Sequence, residues 1–175
     1  VGRGTSLAPH STGASNTGLG YEALLVLTSG AGNTAIGYQA GDSITTSGHN
    51  TLLGYQAGAA LTGGSGQNIA IGYQPLYNET GNTKVIAIGT RAGYNTTSDS
   101  NVYIGGSAGR ENRAGIGQVY IGSQAGYYAT GSYNTFVGQD AGLGGTTSAP
   151  YSSGEKNVAI GYQALKAFTT GYNNV

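Results

Sequence analysis

The chain has 175 residues, among them 34 glycines, 14 tyrosines and two phenylalanines, and it lacks cysteine, methionine and tryptophan. Only 8% of its residues are charged, seven basic against seven acidic, so the sequence offers no basic footprint for nucleic acid or an anionic membrane surface. Without cysteine there is neither a disulfide framework nor a thiolate metal site, and no apolar run reaches the roughly 18 residues of a membrane span.

One nine-residue word recurs along the chain. It reads NTGLGYEAL (16–24), NTAIGYQAG (33–41), NTLLGYQAG (50–58), NIAIGYQPL (68–76), VIAIGTRAG (85–93), NVYIGGSAG (101–109), QVYIGSQAG (118–126), NTFVGQDAG (134–142) and NVAIGYQAL (157–165). The central glycines are Gly20, Gly37, Gly54, Gly72, Gly89, Gly105, Gly122, Gly138 and Gly161, giving steps of 17, 17, 18, 17, 16, 17, 16 and 23. A fixed period of this size marks a repeat architecture, and aliphatic residues locked to it argue against disorder.

Positions are numbered here from the central glycine. Position −1 is Leu, Ile or Val in every copy and −3 is Thr, Ile or Val. The two are one strand period apart, which places them on one face and predicts a short strand in each copy with that face buried. Position −2, from Gly18 and Ala35 to Tyr103 and Phe136, is apolar but irregular in size, which predicts a second, partly covered face. Asn occupies −4 in seven copies, either as an amide ladder from coil to coil or as a local Asx turn. The central glycine either turns a corner at positive φ or lies under a neighbouring backbone. The Ala at +3, replaced by Pro75 alone, reads as a second, tightly packed corner.

Between copies come LTSG (27–30), ITTSG (44–48), LTGG (61–64), ETG (79–81), ATG (129–131) and FTTG (168–171), which predict a second short strand and turn. The fold expected is an all-β, narrow parallel β-solenoid of about ten coils of ~17 residues, roughly 45 Å long at the strand spacing of ~4.8 Å. So small a coil encloses a thin core, and the remaining apolar face predicts packing against further copies of the chain. The whole of residues 1–175 reads as one repeat array. Its ends cut through coils, with Val1-Gly2 and Asn174-Val175 in register with the repeat, so an excerpt of a longer fibre is expected. The long step carries about six extra residues within 143–156, a surface loop with Pro150 and Tyr151 at its tip.

The run N-x-A-I-G-x-x-A, present as NTAIGYQA, NIAIGYQP and NVAIGYQA, resembles the head repeats of YadA-like trimeric autotransporter adhesins and the similar repeats of trimeric phage tail fibres. The resemblance covers residues 16 to 175. It implies a parallel β-roll, three chains side by side in a rod, an extracellular, cell-surface or virion location, and binding to host surfaces. Family repeats are commonly nearer 14 residues, a departure from the period found here.

For an enzyme the groups are poor. His10 and His49 lie in different coils, the seven carboxylates are dispersed singly rather than paired, and neither a calcium-solenoid nor a phosphate-loop motif occurs. No catalytic, metal or cofactor residue is assigned. The candidate binding surface is the pair at +1 and +2: Tyr21, Tyr38 with Gln39, Tyr55 with Gln56, Tyr73 with Gln74, Tyr162 with Gln163, together with Tyr151 on the loop. If exposed, this stripe suits a host glycan or protein receptor; otherwise it is a structural ladder. Two alternatives accompany the adhesive reading. One is a purely structural fibre shaft. The other is an ice-binding solenoid, suggested by Thr17, Thr34, Thr51 and Thr135 in the −3 column and disfavoured by the expectation that this column faces inward.

Overall fold

The computed structural model describes residues 12–64, 66–145 and 152–175. These form an all-β parallel solenoid without helix among the described residues. Each copy of the repeat supplies one strand: β1 (Thr17–Leu19), β2 (Thr34–Ile36), β3 (Thr51–Leu53), β4 (Ile69–Ile71), β5 (Ile86–Ile88), β6 (Val102–Ile104), β7 (Val119–Ile121), β8 (Thr135–Val137) and β9 (Val158–Ile160). The nine make one parallel sheet in sequence order. Equivalent positions pair throughout, as in Leu52↔Ala70 and Tyr103↔Tyr120. The 23-residue step keeps the register too, with Phe136↔Ala159.

The faces are the reverse of the sequence expectation. The −2 column points into the coil and is fully buried at Ala35, Leu52, Ala70, Ala87, Tyr103, Tyr120 and Phe136. The −1 and −3 columns point outward, with Leu19, Leu53 and Ile160 among the exposed large apolar side chains. The physical reason is volume. A coil this narrow admits one inward side chain per strand, and its size must be matched by residues across the coil.

In most copies that matching occurs at position +4; at Ala35 with Gly41 and Ala87 with Gly93 the space is filled instead from neighbouring coils, by Leu24 and Leu52 and by Leu76 and Tyr103. Where −2 is bulky, +4 is glycine: a Cβ on Gly109 would overlap the Tyr103 ring, one on Gly126 the Tyr120 ring, and one on Gly142 the Phe136 ring. Where −2 is Gly18, Ala70 or Ala159, position +4 is Leu24, Leu76 or Leu165. Those leucines keep the backbone of the glycines, at φ 55°, 49° and 52°. Left-handed backbone for a non-glycine residue costs of order 1–3 kcal/mol, which filling the core with a leucine offsets. Position +7 closes the core with Leu27, Ile44 and Leu61, then turns polar at Glu79, Thr96 and Asn112. There Tyr103 Oη accepts from Asn112 Nδ2 at 2.6 Å and lies 3.3 Å from Thr96 Oγ1.

The amide column runs from coil to coil, as the ladder reading expects, and its carbonyl oxygens go to the next coil rather than to a local Asx turn. Asn33 Oδ1 accepts the backbone N–H of Asn50 at 3.0 Å, Asn50 Oδ1 that of Asn68 at 3.0 Å, and Asn68 Oδ1 that of Val85 at 3.0 Å. The same side chains also bond locally, as Asn101 Nδ2 does to Ser98 O at 3.0 Å. Gln118 reaches as far as the shorter residue, its Oε1 accepting from Asn134 N at 2.8 Å.

No second strand forms in the described residues, contrary to expectation. In its place runs a threonine row, in which both N–H and Oγ–H of Thr45 donate to Thr62 O, at 3.1 and 2.7 Å. The hydroxyl thus adds a second bond to the carbonyl that already takes the backbone N–H. The alanines at +3 are buried from Ala23 to Ala141, and Ala164 in the last copy is partly buried. In the long step Ser152 bridges Ala129 in register, and Gly145 N donates to Ser152 Oγ at 2.8 Å. Pro150 and Tyr151 lie outside the described residues.

Candidate functional site

The stripe singled out from sequence is both exposed and laddered. The rings of Tyr21, Tyr38, Tyr55 and Tyr73 stack at centroid spacings of 5.2, 5.1 and 5.1 Å, within 10° of parallel. Each keeps close to half of its surface in solvent. The flat faces are consumed by the stack, so the stripe shows solvent its ring edges and hydroxyls. Tyr162 stands apart in β9's coil at 70% exposure, because Thr90, Gly106, Ser123 and Gln139 interrupt the column.

Beside the rings the +2 side chains form one directed row. Gln39 Nε2 donates to Glu22 Oε2 at 2.7 Å, Gln56 to Gln39 Oε1 at 2.8 Å, Gln74 to Gln56 Oε1 at 2.8 Å, and Arg91 Nε to Gln74 Oε1 at 3.4 Å. A carboxylate, which only accepts, ends it on one side and a guanidinium, which only donates, on the other. Gln163 Nε2 repeats the motif on Asp140 Oδ2 at 3.3 Å, where Lys166 also pairs at 3.6 Å. Every one of these +2 residues has positive φ, which aims the side chain along the stack.

Positions −3 and −1 make a continuous outward row of threonine and aliphatic side chains along the sheet, beside a +1 column that holds Tyr21, Tyr38, Tyr55, Tyr73 and Tyr162 but is broken by Thr90, Gly106, Ser123 and Gln139. These columns carry no lysine or arginine and no carboxylate.

Sequence reasoning missed a second aromatic row, at +5. Tyr77 and Tyr94 stack at 5.2 Å. The Arg110 guanidinium then continues the column, 5.3 Å from the Tyr94 centroid and 5.4 Å from that of Tyr127, with a hydrogen bond from Nη1 to Tyr127 Oη. At +6, Asn78 Nδ2 donates to Asn95 Oδ1 at 2.7 Å and Asn95 Nδ2 to both Glu111 oxygens at 2.9 Å. This row runs in the opposite sense to the glutamines. The signal was available as tyrosines spaced 17 apart at 77 and 94, but the eye is held by the stronger word that precedes them. A groove of about 270 Å³ lies between the two rows, floored by Ala59 and Ala60.

Buried polar chemistry concentrates at Glu79, which has no solvent exposure. Its Oε1 accepts from Gly81 N at 2.6 Å and from Asn82 N, while Oε2 is buried without a hydrogen bond. Burial holds this carboxyl above the usual glutamate range, against the lowering effect of those backbone N–H groups. A carboxyl with a raised folded pKa contributes its stability fully below the unfolded value of about 4.3 and loses it as pH rises through the folded pKa. The melting temperature of Glu79→Gln should therefore gain on wild type between pH 4 and pH 8, as thermal melts followed by circular dichroism would show; a constant difference would mean that Glu79 is not the group responsible.

Among the described residues no cluster of three or more His, Asp and Glu side chains has the geometry to hold a metal ion. Comparison with family models, curated proteins and solved structures finds no match.

Proposed function

We propose that this chain is a structural and adhesive segment of an extracellular or virion surface fibre, three copies of which pack side by side through the outward wall of positions −3, −1 and +1. One observation carries the reading. The solenoid completes its own core with the −2, +4 and +7 side chains, yet presents a second ordered face, half-buried to exposed, that no other element among the described residues covers. Burying that face would remove Ile, Leu, Val and Tyr side chains from water along the whole sheet at about 25 cal/mol per Å². A homotrimer closes such a contact by rotation, without leaving an open surface for unlimited growth. The neutral balance of charge suits side-by-side packing of identical copies, and the polar rows at +2 and +6 stay on the outside, free to contact a host glycan or protein receptor.

Light scattering coupled to size exclusion tests this directly: a mass of three chains of 17.5 kDa is the expected result, and a monodisperse monomer that melts cooperatively would remove the assembly. A shaft without receptor contact is the same fibre lacking partners, and a glycan array separates the two. The ice-binding reading gains one observation, since Thr17, Thr34 and Thr51 pair in register on the outward face. Thermal hysteresis in dilute solution would select it.

A further inference from the structure

We propose that the notch between the two polar rows, at the level of Ala59 and Ala60, binds a single pyranose ring of a neutral saccharide. The aromatic row at +5 begins at Tyr77. One face of that ring is stacked on Tyr94. On the preceding coil the column holds Ala59, so the other ring face looks into the groove rather than onto another aromatic ring. This differs from the tyrosines at +1, whose faces are stacked along most of their row. The next coil down brings Asp42 and Ser43 to the same edge, about two strand spacings, or ~9.6 Å, below Tyr77.

The missing step is one ring thick, as the 5.2 Å stacking of Tyr77 on Tyr94 shows. A pyranose carries axial C–H groups on one face and equatorial hydroxyls around its rim. Its apolar face would lie on Tyr77 and its rim would meet polar groups on every side of the notch. Ser43 Oγ donates only a long bond to Asp42 Oδ1, at 3.4 Å, so the carboxylate keeps acceptor capacity for a pair of vicinal hydroxyls. The Gln39 and Gln56 amides each spend one N–H and one lone pair on their row, leaving a second of each to face the groove. Asn78 uses its Nδ2 on Asn95 and keeps its carbonyl. Partial burial raises the Asp42 carboxyl above its usual range, as expected for a group facing a recess rather than open water. The groove has no lysine or arginine in its lining, which favours a neutral sugar over an acidic one.

The site belongs to the folded chain whatever its assembly. A monomeric mass in solution would leave it standing, and its failure would leave the fibre reading standing. The test is saturation-transfer NMR and calorimetric titration of the whole chain with methyl pyranosides of glucose, galactose, mannose and N-acetylglucosamine, with the open-chain alcohol sorbitol as control. At least one pyranoside should bind with Kd of roughly 1–10 mM, the strength open to one ring, and sorbitol should not. Ala59→Tyr extends the aromatic row by one step and covers the Tyr77 face, so it should stay folded and weaken binding more than tenfold. Asp42→Asn should weaken it severalfold, and it carries the test if Ala59→Tyr fails to melt cooperatively. Absence of binding by every pyranoside up to about 50 mM, where even weak single-ring binding registers, overturns the proposal. So does undiminished binding by folded Ala59→Tyr, or by Asp42→Asn.

Discussion

Replacing Gly122 by alanine should cost far more stability than the same replacement at Gly161, although the two glycines occupy the same column with nearly the same backbone, φ 134° and 125°. Both variants bear the penalty of placing a side chain at that φ, of order 1–3 kcal/mol. Of the two, in the 175-residue chain, Gly122 has a coil stacked over it, and its added Cβ would overlap Gly138 O and C, backbone atoms that cannot move without breaking the sheet. At Gly161 nothing lies within 4 Å of the added carbon. Chemical denaturation should show Gly161→Ala losing a few kcal/mol at most and Gly122→Ala failing to fold, since net stability for a domain this size is about 5–15 kcal/mol. Equal losses would mean that backbone conformation alone demands glycine here, and that the close approach of successive coils is unimportant.

The second large effect separates the two faces of the strand. Leu52→Asp puts a carboxylate into the fully buried −2 column, against Gly41 and Gly58, and an unpaired buried charge costs several kcal/mol on top of the ~2–5 kcal/mol of a lost leucine. The variant should be unfolded by circular dichroism. Ile104→Asp changes the outward −1 column, where the side chain is only half-buried in the isolated chain. It should leave the single-chain fold intact within about 1 kcal/mol, as surface substitutions do, while abolishing side-by-side assembly, because a charge in the middle of an apolar wall would be buried unpaired on association. Sedimentation and a thermal melt on the same sample distinguish the outcomes. An unfolded Ile104→Asp monomer beside a folded Leu52→Asp would reverse the assignment of faces.

The sequence carried the period, the strand in each copy, the parallel register and the amide column, because each of these follows from residues repeated with little variation. It misled on which face is inside. Ile and Leu recur at −1 with near-constant size, and constancy resembles a core. A wide solenoid would put such a column indoors, but this coil is only wide enough for one inward side chain per strand and fills itself from variable parts. The legible trace of that was a compensation across six residues, Tyr103 with Gly109 and Ala70 with Leu76, which no single column reveals. On the candidate surface, Tyr38 and Tyr55 are exposed and Gln39 and Gln56 half-buried, and the stacking of the rings removes the faces that a sugar would need. Tyr77, with a face left over, shares its coil with the repeat word at 68–76 and was overshadowed by it. Glu79 stood in view as the odd member of a Leu and Ile column, and its meaning depended on knowing that the column is interior.

The two polar rows give the rod a direction. Side-chain amides of the glutamine row all donate toward the N-terminal end and stop at Glu22, while those of the Asn78 row donate the other way and stop at Glu111. A coil laid on in inverted orientation would set donor against donor in one row and acceptor against acceptor in the other. A graft of designed coils placed within residues 22–111 is therefore held to a single head-to-tail sense by these rows, beyond what the apolar core alone would enforce.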